Sequence, residues 1–135
     1  MSRILVVEDK PKARGLLAEA AAQVSGAQVE TAGSAEEAIR KLSVATFDVV
    51  ITDLQMETPR AGLDVLQAAK AKDVYTQVIV ITAYGMPQTS VETMSLGAFD
   101  YLEKNAPGMD VFGMISSKVN LALDYRSAKL GKGNS

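Results

Sequence analysis

Three short apolar runs, rich in β-branched residues, constrain the fold of this chain most strongly. They lie at residues 4–7, 49–51 and 78–81. None of them alternates with polar residues, which is typical of parallel strands covered on both faces. Two weaker strands are predicted at 28–32 and 99–102.

Helix-forming segments follow each predicted strand. They cover residues 11–25, 34–45, 62–71, 87–96 and 108–128. Ser34 precedes Glu37 by three positions, a capping box that predicts the start of the second helix, and Gly97 is predicted to end the fourth. This order favours an α/β fold, a flavodoxin-like doubly wound five-stranded parallel sheet of order 2-1-3-4-5 with five helices.

Length and composition bound the organisation and the chemistry. The 135 residues suit one domain, expected at 1–128, while the polar, Gly-containing residues 129–135 are expected to be a flexible tail or linker stub. With no Cys and no His, the chain has no thiol nucleophile, imidazole base or phosphohistidine of its own. A net charge of −2 gives no strong attraction to nucleic acid or to an anionic membrane. No apolar run reaches the roughly 18 residues of a membrane span, and no signal peptide is evident, so a cytoplasmic location is expected.

Polar residues cluster at the predicted strand ends. Glu8 and Asp9 follow the first strand, Asp53 follows the third, Thr82 ends the fourth and Lys104 follows the fifth. Because ligands of such sheets bind outside the carboxyl ends of the strands, these side chains are expected to converge. Any one of them alone is commonly a helix cap, a turn residue or a solvated charge, but the joint pattern is uncommon by chance.

The expected cluster predicts cation-assisted phosphate chemistry. Three carboxylates repel each other unless a cation lies among them, and an all-oxygen set favours Mg²⁺ or Mn²⁺. One carboxylate then remains available as a nucleophile. Thr82 and Lys104 are suited to bind the oxygens of a phosphoryl group.

Four segments carry a family resemblance: ILVVEDK at 4–10, VVITDLQM at 49–56, VIVITAYG at 78–85 and GAFDYLEK at 97–104. Over residues 3–126 the chain resembles the receiver domain of two-component response regulators. The motifs are closest to receivers of the nitrogen-regulatory, enhancer-binding activator type, which usually precede an ATPase and a DNA-binding domain.

The resemblance implies a role for each residue of the predicted cluster. Asp53 matches the phosphoacceptor, Asp9 a direct Mg²⁺ ligand, and Glu8 its neighbour that acts largely through water. Gln55 stands where a backbone carbonyl completes the metal site. Lys104 matches the lysine that pairs with the phosphoryl group.

The resemblance also implies a switch and a control of lifetime. Thr82 matches the switch hydroxyl and Tyr101 the switch aromatic, whose ring we expect to be mainly exposed in the unphosphorylated protein. Ala83 fits the small residue that leaves the phosphate accessible. Gln55 and Tyr84 flank the acceptor, and we expect them to set the lifetime of the phosphoryl group, with Tyr84 shielding it from water.

The sequence departs from the family pattern in two loops. Asn105 follows Lys104 where the family usually has proline, often after a cis bond, so the state of this peptide bond is left open. The loop after the acceptor, residues 56–62, is about one residue longer than usual and is expected to carry its charge near the site. In the predicted fourth helix Glu92 is the one charged residue, so dimerisation through the ion-pair network of winged-helix relatives is not expected, and another homodimer is left open.

The function implied is a phosphorylation-dependent switch that takes a phosphoryl group from a sensor histidine kinase. Its catalysis would be limited to its own phosphorylation and dephosphorylation. It would act on an output domain or partner protein through its fourth helix, fifth strand and fifth helix, controlling transcription without binding nucleic acid itself.

Three alternative functions are compatible with the same fold. An aspartate-nucleophile phosphatase needs a second Asp where Gln55 stands, and a flavin-binding protein needs a Ser/Thr/Gly-rich loop where residues 8–11 stand. Both are disfavoured. A pseudo-receiver, which acts as a constitutive interaction module and is never phosphorylated, stays open because of Asn105.

Overall fold

The computed structural model describes residues 1–105, 107–108 and 110–131 and contains the predicted alternation of strands and helices. The strands are β1 (Ser2–Val7), β2 (Ala27–Ala32), β3 (Val49–Asp53), β4 (Gln77–Thr82) and β5 (Asp100–Glu103). The helices are α1 (Pro11–Ala22), α2 (Ala35–Val44), α3 (Ala61–Lys72), α4 (Pro87–Ser95) and α5 (Val111–Lys129). All strand pairs are parallel, in the order β2-β1-β3-β4-β5, which confirms the predicted fold.

Both faces of the sheet are covered, as the continuous apolar runs predicted. Every residue of β3 and β4 is buried. On one face Leu5 and Val50 pack in a cluster with Leu66 of α3, and on the other Ile4 belongs to a cluster with Ile115 of α5. Burying each such side chain contributes about 1.5–3 kcal/mol, which explains why these runs determine the fold.

The helix signals read from the sequence are confirmed. Ser34 Oγ accepts a hydrogen bond from Glu37 N–H at 3.0 Å, and Glu37 Oε1 accepts one from Gly33 N–H at 3.0 Å. Gly97 has a φ of +98°, a conformation that glycine adopts without the strain a side chain would bring, and it follows the end of α4.

Two predicted helix boundaries were wrong by three residues, and the others lie within one residue of those observed. Helix α1 ends at Ala22 rather than 25, because the chain turns through Gly26 at a φ of +76°. Helix α5 begins at Val111 rather than 108, since Gly108 has a φ of +74° and Asp110 caps the helix by accepting from Gly113 N–H. The same helix continues to Lys129, the first residue of the predicted tail, and residues 132–135 of that tail lie outside the described residues.

Strand register sets up two distinct edges of the sheet. Val7 pairs with Thr52, and Asp53 pairs with Ile81, so Glu8, Asp53 and Thr82 emerge together at what we call the carboxyl edge. The amino edge is the opposite one, where strands β3 and β4 begin. Within the described part of the chain, no helix combines the length and apolarity needed to cross a membrane.

Candidate functional site

Three acids converge at the carboxyl edge. Glu8, Asp9 and Asp53 each offer a carboxylate oxygen within 4.8 Å of the others. Glu8 is completely buried, Asp53 is 5% exposed and Asp9 is exposed. The structure therefore brings together the acids that the strand ends singled out.

Lys104 supplies a cation to this cluster. Its Nζ lies 2.6 Å from Glu8 Oε1 and 3.4 Å from Asp53 Oδ2. Burial alone would lower the pKa of Lys104, but the hydrogen bond to Glu8 and the charges of Asp53 and Glu8 raise it above its ordinary value. Lys104 is therefore protonated at neutral pH and offsets one of three negative charges.

The negative charge that Lys104 does not balance affects the pKa of Asp9. Although Asp9 is exposed, partial desolvation by its neighbours, a hydrogen bond with Glu8 and the Glu8 charge all raise the pKa of the Asp9 carboxyl above its ordinary value. A carboxyl with a raised pKa is one whose charge is poorly compensated. The cluster thus favours the arrival of a further positive charge.

The acceptor candidate is fixed by its own loop and by α3. Asp53 Oδ1 accepts a hydrogen bond from Leu54 N–H at 2.9 Å, and Leu54 O accepts one from Gly62 N–H at 2.8 Å. A Cβ at Gly62 would lie 2.3 Å from Asp53 O, closer than any side chain could be placed. Sequence reasoning gave Gly62 no role, although only glycine lets α3 begin this close to Asp53.

Thr82 and Lys104 are joined through the backbone. Thr82 is completely buried, and its carbonyl accepts from Lys104 N–H at 2.7 Å. Its hydroxyl lies 3.3 Å from both the N and the O of Tyr84. These long contacts leave the Thr82 hydroxyl weakly held.

The structure gives the state of the peptide bond between Lys104 and Asn105, which the sequence left open. The Lys104–Asn105 bond is trans, as are the other peptide bonds of the described residues. The Asn105 side-chain amide donates to Ala83 O at 3.2 Å. Asn105 therefore links the loop that follows β5 to the loop that follows β4.

The expectation for Tyr101 was wrong. Its ring is half-buried and packs against the apolar cluster that contains Val78 and Val80, rather than being mainly exposed. Its hydroxyl oxygen is buried and, among the described residues, has no hydrogen-bond partner. Burial of the apolar ring favours this position, while the unpaired hydroxyl opposes it at a cost of about 1–3 kcal/mol.

The long loop after the acceptor directs its charges to neighbouring helices. The Glu57 carboxylate accepts from Ala35 N–H at 2.9 Å and Glu36 N–H at 3.1 Å, at the start of α2. Burial would raise the pKa of Glu57, but these bonds hold it below its ordinary value. Arg60 pairs with Glu92 of α4. The sequence placed charge near the site without revealing these partners, which depend on the tertiary structure.

Gln55 and Tyr84 lie on the two loops that flank Asp53. Both side chains are exposed, Tyr84 by 73%. Their effect on the lifetime of a phosphoryl group stays a prediction.

The donor set at this edge fits a hard divalent cation. It consists of carboxylate oxygens that lie within 4.8 Å of one another and carry more negative charge than Lys104 offsets. Glu8, Asp9 and Asp53 are the residues that would hold such an ion, with the backbone carbonyl of Gln55 as the fourth candidate. Oxygen ligation of this kind suits Mg²⁺ or Mn²⁺.

Comparison with known families decides the classification. The family described as "Response regulator receiver domain" matches residues 4–115. The chain belongs to this receiver family. Receiver domains of two-component response regulators take part in phosphorylation-dependent signalling and pair with histidine kinases and output domains.

Two relatives of this receiver domain bear out the predicted likeness to regulators of the nitrogen-regulatory type. It is 32% identical over 102 residues to the response regulator protein PilR of Pseudomonas aeruginosa, covering 76% of this chain and 22% of PilR. It is 30% identical over 102 residues to a putative NtrX-like response regulator of Rickettsia felis, covering 75% of this chain and 21% of that protein. The chain thus spans about a fifth of the length of these regulators.

A solved structure shares both the fold and substantial sequence with this receiver domain. It is the response regulator protein TrrA of Thermotoga maritima in complex with Mg²⁺ and BeF, at 32% identity and a TM-score of 0.73. The match covers 91% of this chain and all of the TrrA chain.

Proposed function

We propose that this receiver domain is a phosphorylation-driven switch that accepts a phosphoryl group on Asp53 from a sensor histidine kinase. The observation that carries the proposal is the environment of Asp53. Its carboxylate lies beside two further acids, with the Lys104 ammonium 3.4 Å from its Oδ2. The chain contains no His, so the phosphohistidine donor belongs to a partner.

The transfer makes one bond and breaks one. A carboxylate oxygen of Asp53 attacks phosphorus as the phosphorus–nitrogen bond of the donor breaks, and that electron pair leaves with the imidazole. Lys104 pairs with the phosphoryl oxygens as negative charge develops on them. A divalent ion held by the acids would offset the charge of the incoming group. Catalysis is limited to this transfer and to later loss of the phosphoryl group.

The proposed switch uses Thr82 and Tyr101. The Thr82 hydroxyl holds Tyr84 only through 3.3 Å contacts, so it can exchange them for a phosphoryl oxygen. The unpaired Tyr101 hydroxyl makes the inward ring position only marginally favoured. If the inward and outward positions of the Tyr101 ring have similar energies, a phosphoryl group can change which one is favoured and so shift α4, β5 and α5.

Those three elements form the proposed output surface. Helix α4 exposes Val91 by 70% and Met94 by 44%, apolar area suited to a partner. We propose a cytoplasmic setting, an output domain or partner protein that controls transcription, and no direct contact of this domain with nucleic acid. These parts of the proposal rest on the likeness to nitrogen-regulatory receivers.

Phosphorylation by acetyl phosphate with Mg²⁺ tests the proposal. Intact-protein mass spectrometry should show one acid-labile phosphoryl group on the wild type, none after chelation of the metal and none on Asp53→Asn. Asp64→Asn, which removes an exposed acid of α3, serves as the matched control and should be phosphorylated normally. Equal incorporation in Asp53→Asn would reject the assignment, and no incorporation in the wild type would favour the pseudo-receiver.

The lifetime of the phosphoryl group tests the role of Tyr84. We expect the phosphoryl group to last for minutes or longer. The Tyr84 ring shields the acceptor from attacking water, and this effect should outweigh any orientation of that water by Gln55. Tyr84→Ala should speed phosphate release several-fold, a barrier change of about 1 kcal/mol. Tyr75→Ala, at the opposite edge, is the control. An unchanged or slower release from Tyr84→Ala would remove the shielding role.

A further inference from the structure

A cleft of about 600 Å³ opens at the amino edge of the sheet, away from the acids. The end of α3 and the loop after it form one wall, the loop between α4 and β5 forms the floor, and the last turns of α5 form the other wall. Ligand sites for small molecules commonly enclose about 300–1,000 Å³, so the cleft has the size of such a site.

Aromatic rings line this cleft. The rings of Phe99 and Tyr125 lie 5.8 Å apart between centroids and are tilted by 54°. Tyr125 remains 47% exposed and Tyr75, on the opposite wall, 39% exposed. A planar apolar group placed between these walls would bury ring surface that water now covers.

Two ammonium groups border the same space. Lys129 Nζ lies 5.3 Å from the centroid of the Tyr125 ring. Lys70 Nζ donates to Val74 O at 2.7 Å and to Thr76 O at 2.9 Å, contacts that fix its position. Among the described residues that line the cleft, none carries a carboxylate.

The nearest acid in sequence, Asp73, is already engaged. Its carboxylate accepts from Arg126 at 3.0 Å and from Tyr75 N–H at 2.8 Å. Burial and the neighbouring Arg126 lower the pKa of Lys70 despite the opposing effect of Asp73. Asp73 is therefore shared between Arg126 and Lys70, so the positive charge beside the cleft is only partly balanced.

Gly97 keeps the cleft accessible. It has a φ of +98°, and a Cβ there would lie 3.3 Å from Cε of Lys70, tighter than an ordinary contact. A side chain at this position would strain the backbone and crowd the stem of Lys70.

We propose that this cleft binds a small aromatic anion, that is, a planar ring that bears a carboxylate or a similar group. The ring lies against Tyr125 and Phe99, and the anionic group faces Lys129 and Lys70. An anionic ligand is favoured over a cationic or neutral one, because the described lining residues include two lysines and no acid. The site needs no phosphorylation and stands independently of the function proposed above.

Titration of the full chain with 2-naphthoate tests this site. Two-dimensional ¹H–¹⁵N NMR should show saturable shifts of the Tyr75, Gly97 and Phe99 amides at millimolar ligand, with the amides around Asp53 unmoved. Cyclohexanecarboxylate, which has the charge without the aromatic ring, and 2-naphthylmethylammonium, which has the ring with the wrong charge, should bind several-fold more weakly.

Two variants separate the contributions of charge and ring. Lys129→Gln should weaken 2-naphthoate about three- to fivefold, the upper range for an exposed ion pair. Tyr125→Leu should weaken it at least as much, and Lys12→Gln, an exposed lysine of α1, should change nothing. Thermal melting of each variant confirms that it is folded.

Four results would overturn the proposal. The first is the absence of saturable shifts at the cleft, and the second is equal binding of the cationic naphthyl compound. The third is equal affinity in Lys129→Gln and the wild type. The fourth is binding of an acidic peptide with no binding of 2-naphthoate, which would make this surface a protein-docking site.

Discussion

The acids at the two edges of the sheet differ in how completely their negative charge is balanced. At the amino edge, Arg126 donates to Asp48 at 2.8 Å and to Asp73 at 3.0 Å. The second oxygen of each acid accepts a backbone N–H, from Arg3 at 2.7 Å and from Tyr75 at 2.8 Å. Every carboxylate oxygen of this network has a donor.

The carboxyl edge is short of positive charge by comparison. Lys104 lies within ion-pair distance of Glu8 and Asp53, and Asp9 adds a third carboxylate to the same cluster. The difference teaches that an acid at a strand end is not in itself a functional signal. What distinguishes the candidate site is that its charge is incompletely balanced, so neutralising an acid should have opposite effects on stability at the two edges.

Loss of Arg126 should have the largest effect. Arg126→Gln leaves two partly buried carboxylates without their shared cation and should lower the free energy of unfolding by about 2–3 kcal/mol. Arg40→Gln, which removes an exposed pair with Glu36, should cost less than about 0.5 kcal/mol. Urea denaturation measures both, and similar losses in the two variants would show that the amino-edge network is not stabilising.

Neutralising Asp73 should cost less and should depend on pH. Burial would raise the pKa of Asp73, but the bonds from Tyr75 N–H and Arg126 and the charges of Arg126 and Lys70 hold it below its ordinary value. The stabilisation is therefore present above the pKa of the unfolded chain and is lost as the pH falls through the folded pKa. Asp73→Asn should lose about 1–2 kcal/mol at pH 7.

The pH dependence provides the control for Asp73. The difference between Asp73→Asn and the wild type should stay constant between pH 7 and about pH 5, and should shrink as urea denaturation is repeated at lower pH toward pH 2. A difference that stayed constant over the whole range would mean that the lost stability came from packing and not from the charge.

Neutralising Asp9 should have the smallest effect and the opposite sign. Without divalent metal, Asp9→Asn removes a charge that Glu8 repels and should raise the free energy of unfolding by up to about 0.5 kcal/mol, a small gain because Asp9 is exposed and screened. Asp124→Asn, which removes an exposed acid within α5, should leave stability nearly unchanged. Destabilisation by Asp9→Asn in metal-free buffer would contradict the difference between the edges.

The sequence predicted the carboxyl edge better than the amino edge, for a physical reason. Parallel strands carry whatever follows them to one edge, so Glu8, Asp53 and Thr82 could be grouped from strand ends alone. Asp48 and Arg126 are 78 positions apart, and no local pattern announces their contact. The sequence interpretation gave Asp48 no role.

Side-chain placement was predicted least well. The motif assigned Tyr101 to a switch, but whether its ring lies inward depends on the surrounding packing. The predicted end of α1 and the predicted start of α5 were misplaced. Gly26 and Gly108 adopt positive φ values there, and helix periodicity does not reveal them.

Thermal unfolding with and without Mg²⁺, at constant ionic strength, tests most directly whether the carboxyl edge is an incompletely balanced cation site. At Mg²⁺ ten times its dissociation constant, the wild type should gain about 1.4 kcal/mol of stability. Asp73→Asn, which is less stable than the wild type without Mg²⁺, should gain the same amount of stability. Asp9→Asn should gain little or none. No gain in the wild type, or an equal gain in Asp9→Asn, would contradict the account.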